Sequence, residues 1–268
     1  MVIQQEFNIE SNSSDWACIL GGSTGLGLAS AKKLAKHGLN ICIIHRTRRS
    51  QLEEFKTECY SIKNTGVKLK TFNADVLNTE TRKEVAQFFS DSNSTIKVLL
   101  HSIAKGNLKP IFSETNESLL SGEDFALTAR AMAISLYEWS KVFADHKIFA
   151  KNARILSFTS EGSRKPLPNY AAVSAAKAAL EAITRSLAYE LAPLHITANC
   201  IQAGITDTES LKLIPGSEGL KEDAQQRNPQ KRLTTPEDVA NVVYLLAKDE
   251  ANWINGTIIP VDGGEHLR

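Results

Sequence analysis

The stretch Trp16-Ala17-Cys18-Ile19-Leu20-Gly21-Gly22-Ser23-Thr24-Gly25-Leu26-Gly27 restricts the fold more than any other part of the chain. A short apolar run ends in four glycines within seven residues. Leu28 to His37 then has helical composition and is closed by Gly38. Strand, glycine loop and helix in that order are the parts of a phosphate cradle. Glycines let backbone N–H groups approach a pyrophosphate, and the helix N-terminus behind them favours negative charge. The stretch therefore reads as a dinucleotide site over Gly21 to Gly27, with a bare structural turn as the alternative.

The same alternation continues. Further strands are predicted at Asn40–Ile44, Val67–Phe72, Ile96–Leu100, Arg154–Phe158, Ile196–Ile201 and Thr257–Val261. Helices are predicted between them, including one long helix over Glu123–Phe149 and another from Tyr170 to about Leu191. Strands alternating with helices imply a parallel sheet covered on both faces. The expectation is an α/β fold: a single-domain Rossmann-type doubly wound parallel sheet of about seven strands over residues 15–268. Residues 1–14 are polar and read as a flexible arm; 205–232 reads as a mobile substrate flap. For 268 residues a single α/β domain is the ordinary outcome. A formal net charge of +1 gives no pull toward nucleic acid. No apolar run is long enough to span a membrane, and no basic-then-apolar leader opens the chain. Cys18, Cys42, Cys59 and Cys200 are scattered, which suggests neither a disulfide framework nor a metal site. A reducing, cytoplasmic setting fits.

In such a sheet, ligands bind outside the carboxyl ends of the strands. Candidate residues gather there: Gly21 to Gly27, Arg46, Asp75, His101 to Ala104, Ser160, and Gly204 to Thr208. After the second strand an acidic residue would hold the ribose hydroxyls of NAD. The chain has His45-Arg46-Thr47-Arg48-Arg49 instead. A guanidinium fork suits a ribose phosphate, so NADP is expected, against a solvated basic turn. Asp75 either accepts from the adenine amino group or caps the next helix. Tyr170 and Lys177 stand seven residues apart, about two helical turns, and so share one face. A lysine so placed lowers a nearby phenol's pKa by its charge.

Taken together, the G-x-x-x-G-x-G loop, Asp75-Val76, and the terminal NGTIIPVDGG resemble the short-chain dehydrogenase/reductase superfamily from about Ser14 onward. Ketone-reducing members carry Tyr-x-x-x-Lys with a serine thirteen residues before the tyrosine. Ser160 and Lys177 fill two of these positions, but the third holds Val173, and the tyrosine lies one turn earlier. Tyr-x6-Lys is similar to the enoyl-acyl carrier protein reductases. So are His101-Ser102-Ile103-Ala104 and Pro168-Asn169-Tyr170. The glycine loop keeps the ordinary superfamily form, and Ser160 occupies the place of a second tyrosine. Both features resemble the NADPH-preferring variant of those reductases, as does Asp207-Thr208. Arg130 falls where ketone reducers have an asparagine.

The resemblance implies NADPH-dependent reduction of the 2,3 double bond of a trans-2-enoyl thioester, carried by acyl carrier protein or coenzyme A. It implies Tyr170, Lys177 and Ser160 as catalytic residues, with Lys177 on the nicotinamide ribose. It implies cofactor contacts from Gly21, Ser23, Thr24, Gly25, Leu26, Gly27, Arg46, Thr47, Asp75, Val76, Ser102, Ile103, Ala104, Gly204, Thr206 and Thr208, and no metal. A homotetramer is implied through the long helices. Ser160 either assists the substrate oxygen or bonds the backbone at its strand end. His101 is expected to be structural, and Met132 and Trp139 to be core or interface. Lys105, Lys109, Arg164, Lys165, Lys221, Arg227, Lys231 and Arg232 are candidates to dock an acidic carrier, against a solvated surface. The competing activities are reduction of a 2,4-dienoyl-CoA or a 3-oxoacyl thioester. Outside enzymes, the alternative is a non-catalytic NADP-binding sensor.

Overall fold

The computed structural model describes residues 14–114 and 118–268. The arm expected over 1–14 falls outside them, Ser14 excepted. Seven strands form one parallel sheet: β1 (Asp15–Leu20), β2 (Asn40–His45), β3 (Leu69–Asn73), β4 (Thr95–His101), β5 (Phe149–Ser160), β6 (Thr197–Ala203) and β7 (Ile258–Val261). Their order is β3-β2-β1-β4-β5-β6-β7. The order reverses between β1 and β4, and this opens a crevice at their carboxyl ends.

The helices are α1 (Gly25–Lys36), α2 (Leu52–Lys63), α3 (Thr79–Asp91), α4 (Gly122–Ala129), α5 (Ser135–Asp145), α6 (Ala171–Glu190), α7 (Glu209–Lys212), α8 (Ser217–Arg227) and α9 (Pro236–Ala247). Strand side chains alternate between two cores, as the pleat requires. Trp16, Cys18 and Leu20 of β1 join Val85 and Phe89 of α3, Trp139 and Phe143 of α5, and Leu180 of α6. Ala17 and Ile19 turn to the opposite face, with Leu34 of α1, Phe55 of α2 and Val243 of α9. Both faces of β1 are therefore buried, which explains a continuous apolar run rather than a polar alternation. Cys18 and Cys42 are neighbours in register on β1 and β2.

Three elements differ from the sequence expectation. The long helix is not regular: a five-residue π-turn, Arg130–Ile134, joins α4 to α5. It also ends at Asp145, and Phe149 opens β5. Segment 205–232 carries two helices, α7 and α8. Helix α6 begins at Ala171, so Tyr170 is its N-cap rather than a residue within it. Asn169 before it has φ +59°, a left-handed conformation that asparagine tolerates.

Candidate active site

A cavity of about 460 Å³ lies along the carboxyl ends of β1 to β6. Its wall includes Gly21, Ser23, Thr24, Gly25 and Leu26 after β1, Arg46 after β2, and Asp75 and Val76 after β3. Ser102, Ile103 and Ala104 follow β4, Ser160 ends β5, and Gly204, Thr206 and Thr208 follow β6. Tyr170 and Lys177 enter from α6. Two expected contacts do not line it. Gly27 is buried behind the loop, where an added Cβ would lie 2.4 Å from the Gly21 carbonyl oxygen. It sets helix-to-strand packing instead. The Thr47 hydroxyl is bonded to His45 Nδ1 at 2.7 Å.

The loop suits a pyrophosphate. Gly21 has φ +85°, and its Cβ would meet the Ser102 carbonyl oxygen at 2.4 Å. Thr24 stands at the N-cap of α1 in extended backbone, and its side chain caps nothing. The first-turn N–H groups of α1 thus remain available to an anion. At the other end, Arg46 Nη1 donates to Asp75 Oδ2 at 3.1 Å, with both side chains at least half as exposed as not. Asp75 does not cap α3: Asn78 does, accepting from the Glu80 N–H at 2.8 Å. The second Asp75 oxygen accepts from the Leu77 N–H at 2.9 Å.

Around Tyr170 the polar groups are few and fixed. Lys177 Nζ donates to the Phe158 carbonyl at 2.7 Å. Ser160 Oγ accepts from the Gly162 N–H at 3.1 Å, and the same side chain faces the phenol. The backbone bond expected at the strand end is therefore present. Burial pushes the Tyr170 phenol above its ordinary pKa, with Ser160 pulling the other way. The net direction is opposite to the one expected from Lys177: desolvation of the phenolate is the largest influence, and the ammonium is bonded to the Phe158 carbonyl. Burial brings Lys177 itself down to about 8, against opposing pulls from Cys200 and Glu181. His101 is fully buried; burial, and then the Lys177 charge, hold it down to about 3. Its Nε2 bonds Ser135 Oγ at 2.7 Å, so it is a neutral structural residue beneath the cavity.

Several wall residues had no signal in the sequence. The π-turn brings Ala131 and Met132 to the cavity, and Leu108, Val173, Leu211, Leu213 and Ile214 complete an apolar side. Met132 is thus both core and cavity wall. Trp139 is core, its indole donating to the Val76 carbonyl at 2.9 Å. Behind the wall, Glu265 Oε2 accepts from the Ile205 N–H at 3.1 Å, and Arg227 joins Glu265 at 2.8 Å and Glu161 at 3.2 Å.

Most of the docking candidates are engaged. Lys109 pairs with Asp124, Lys165 with Glu161, Lys221 with Asp207, and Arg232 with Asp238. Lys231 Nζ donates to the Gln226 carbonyl. Arg227 is an internal strut, because three carboxylates hold it. Among the described residues, no helix is long and apolar enough to cross a membrane.

A parallel sheet with an anion loop at its switch point, and a buried tyrosine and lysine at one cavity floor, defines a nucleotide-dependent oxidoreductase of the short-chain dehydrogenase/reductase class. A family model described as enoyl-(acyl carrier protein) reductase matches residues 21–266, and the chain belongs to that family. An uncharacterized oxidoreductase of Bacillus subtilis, YjdA, is 30% identical over 95% of this chain and 98% of its own. The 3-oxoacyl-[acyl-carrier-protein] reductase MabA of Mycobacterium bovis is 26% identical over 92% of this chain and 90% of its own. The crystal structure of an enoyl-[acyl-carrier-protein] reductase (NADH) from Aquifex aeolicus superposes with a TM-score of 0.81 at 24% identity, covering 96% of this chain and 99% of that one. That likeness establishes the fold.

Proposed function

We propose that the protein reduces the 2,3 double bond of a trans-2-enoyl thioester with NADPH. The observation that carries this reading is the position of the phenol. Tyr170, not residue 173, stands with Lys177 at the cavity floor, and Val173 makes apolar wall between them. Bound NADPH would supply the hydride, and Gly21 to Leu26, the α1 N-terminus and Arg46 are the residues to hold it. When hydride reaches the β carbon, negative charge develops on the thioester oxygen, three bonds away, where a ketone's oxygen is one bond away. A donor set back by one helical turn, about 5 Å, suits that more distant oxygen. Burial keeps Tyr170 protonated at neutral pH, so it donates a hydrogen bond where the charge appears. Ser160 orients the phenol, and the Lys177 ammonium adds positive charge beneath it.

The apolar side of the cavity, from Leu108 to Ile214, fits an acyl chain. Lys105 lines the mouth and, like Arg164, makes no ion pair among the described residues, so these two remain as contacts for an acidic carrier. A homotetramer formed through α4 and α5 belongs to the same reading. A 3-oxoacyl thioester is the second reading, favoured by the likeness to MabA. Val173 speaks against it, because ketone reduction needs its donor at the oxygen bonded directly to the carbon that takes the hydride.

Crotonyl-CoA and acetoacetyl-CoA, each with NADPH and with NADH, decide between them by absorbance at about 340 nm. Oxidation with the enoyl thioester alone is expected; oxidation with the oxo thioester alone overturns the reading. Tyr170→Phe is expected to lower kcat about 100-fold or more, in the range of a lost oxyanion donor. Full activity in that variant would remove Tyr170 from the mechanism. Arg46→Ala is expected to raise KM for NADPH about tenfold while leaving NADH little changed. Equal loss for both cofactors would remove the phosphate role.

A further inference from the structure

Three consecutive residues at the end of β5 address the N-cap of α6 and two positions within that helix. Ser160 faces Tyr170, the Phe158 carbonyl accepts from Lys177 at 2.7 Å, and the Thr159 hydroxyl donates to Glu181 Oε1 at 2.7 Å. The first two pairs belong to the reaction proposed above. The third does not, because Glu181 is 6% exposed and does not line the cavity.

A carboxylate buried to that degree is costly unless an opposite charge lies near it. Lys177 is one turn earlier on the same helix, the spacing at which side chains are neighbours. Arg185, one turn later, is exposed. From β4, His101 is neutral above about pH 3. From β6, Cys200 is held as the thiol, because burial raises it, and its Sγ bonds Ser157 and Thr184. The charged groups of α4 and α5 are engaged elsewhere or exposed: Asp124 with Lys109, Glu138 with Arg82, Lys141 with Asp145, while Glu123 and Arg130 face solvent. Seen from the lysine, the ammonium has one carbonyl as hydrogen-bond partner and no carboxylate within 4 Å. Glu181, one turn further along α6 and fixed by Thr159, is the carboxyl group placed to balance it.

We propose that Glu181 is a positioning residue for Lys177: a carboxylate that Thr159 fixes beneath the cavity floor, keeping the ammonium charged and aligned on the Phe158 carbonyl without touching substrate or cofactor. This rests on the reading of Lys177 as the working cation of the cavity.

The test is a titration of Lys177 Nζ by ¹⁵N NMR, its signal assigned by loss in Lys177→Met, alongside the pH profile of kcat/KM. In Glu181→Gln the Lys177 midpoint is expected to fall by about half a unit or more. The alkaline limb of the profile should move with it, and activity at pH 6 should return to within about twofold of the parent. Glu181→Asp should restore most of the shift. A Lys177 midpoint that does not move in folded Glu181→Gln overturns the proposal. Should that variant fail to fold, Thr159→Val, which frees the carboxylate, takes the same titration, and an unmoved midpoint there overturns it equally. The NMR midpoint needs no substrate. A shifted midpoint in a protein inactive on enoyl thioesters would therefore support this role and defeat the functional reading.

Discussion

Gly162 decides where the phenol stands, through the side chain it lacks. An added Cβ would lie 2.7 Å from Cε1 and 3.0 Å from Cδ1 of Tyr170, and 3.3 Å from Leu167 Cδ1. Its backbone is not left-handed, so the clash with the ring is the whole objection to alanine there. Gly162→Ala is expected to lower kcat about tenfold or more by misplacing the phenol, because small displacements of a reacting group are expensive. NADPH affinity, measured by fluorescence titration, should stay within about twofold, since Gly162 does not line the cavity. An unchanged kcat would mean that the ring moves aside at no cost to the chemistry. In the sequence Gly162 is a lone glycine eight residues before the tyrosine. Tyr170, Lys177 and Ser160 were legible because their spacing maps onto a helix and a strand end. Gly162 and Thr159 were not, because their partners lie across a fold that spacing does not encode.

At the level of elements, the strands were read to within a few residues except β5, which begins at Phe149. Its first residues, Phe149-Ala150-Lys151-Asn152, break the apolar pattern and blend into the preceding helix. The π-turn was not legible, because Arg130-Ala131-Met132-Ala133-Ile134 has ordinary helical composition. Its wider hydrogen-bonding pitch carries Ala131 and Met132 to the cavity, and Ser135 Oγ takes the Ala131 carbonyl at 2.8 Å. Irregular turns of this kind recur at functional sites. Arg154 shows a tie between elements. It is 1% exposed, and its guanidinium donates to the Leu246 and Lys248 carbonyls at 2.8 and 3.0 Å, at the C-terminal end of α9 where carbonyls lack partners within the helix. Arg154→Leu is expected to cost about 3 kcal/mol in urea unfolding, because buried carbonyls lose a charged donor. Activity of the folded fraction should persist, since the tie is remote from the cavity. A loss under about 0.5 kcal/mol would mean that water replaces the guanidinium.

For the molecule as a whole, the buried histidines set the acid limb of stability. His45 and His101 are held by burial to about 4 and about 3 in the folded chain, against 6.5 when unfolded. Between those values the unfolded state binds protons that the folded state refuses, so stability is complete above pH 6.5 and falls as the pH drops below it. Lys177 acts with the same sign in another window: held at about 8 against 10.5, it makes the folded state less costly as the pH rises between them. Thermal midpoints are expected to decline from pH 7 to pH 5, a range in which most carboxylates remain ionised. A flat midpoint across that range would show that the histidines take their protons without unfolding.

The sequence by itself determined the parallel sheet, its seven strands, the glycine loop and the strand ends along which the cavity lies. These follow from local composition, because a strand buried on both faces must be apolar throughout and a loop that brings backbone to an anion must be glycine. Only the tertiary structure decided which cations are spent in internal pairs, which part of a helix loosens to meet the cavity, and how the phenol and ammonium are charged. Those outcomes depend on burial and on partners far apart in the chain, and electrostatic cost is a property of the packed surroundings rather than of the residue.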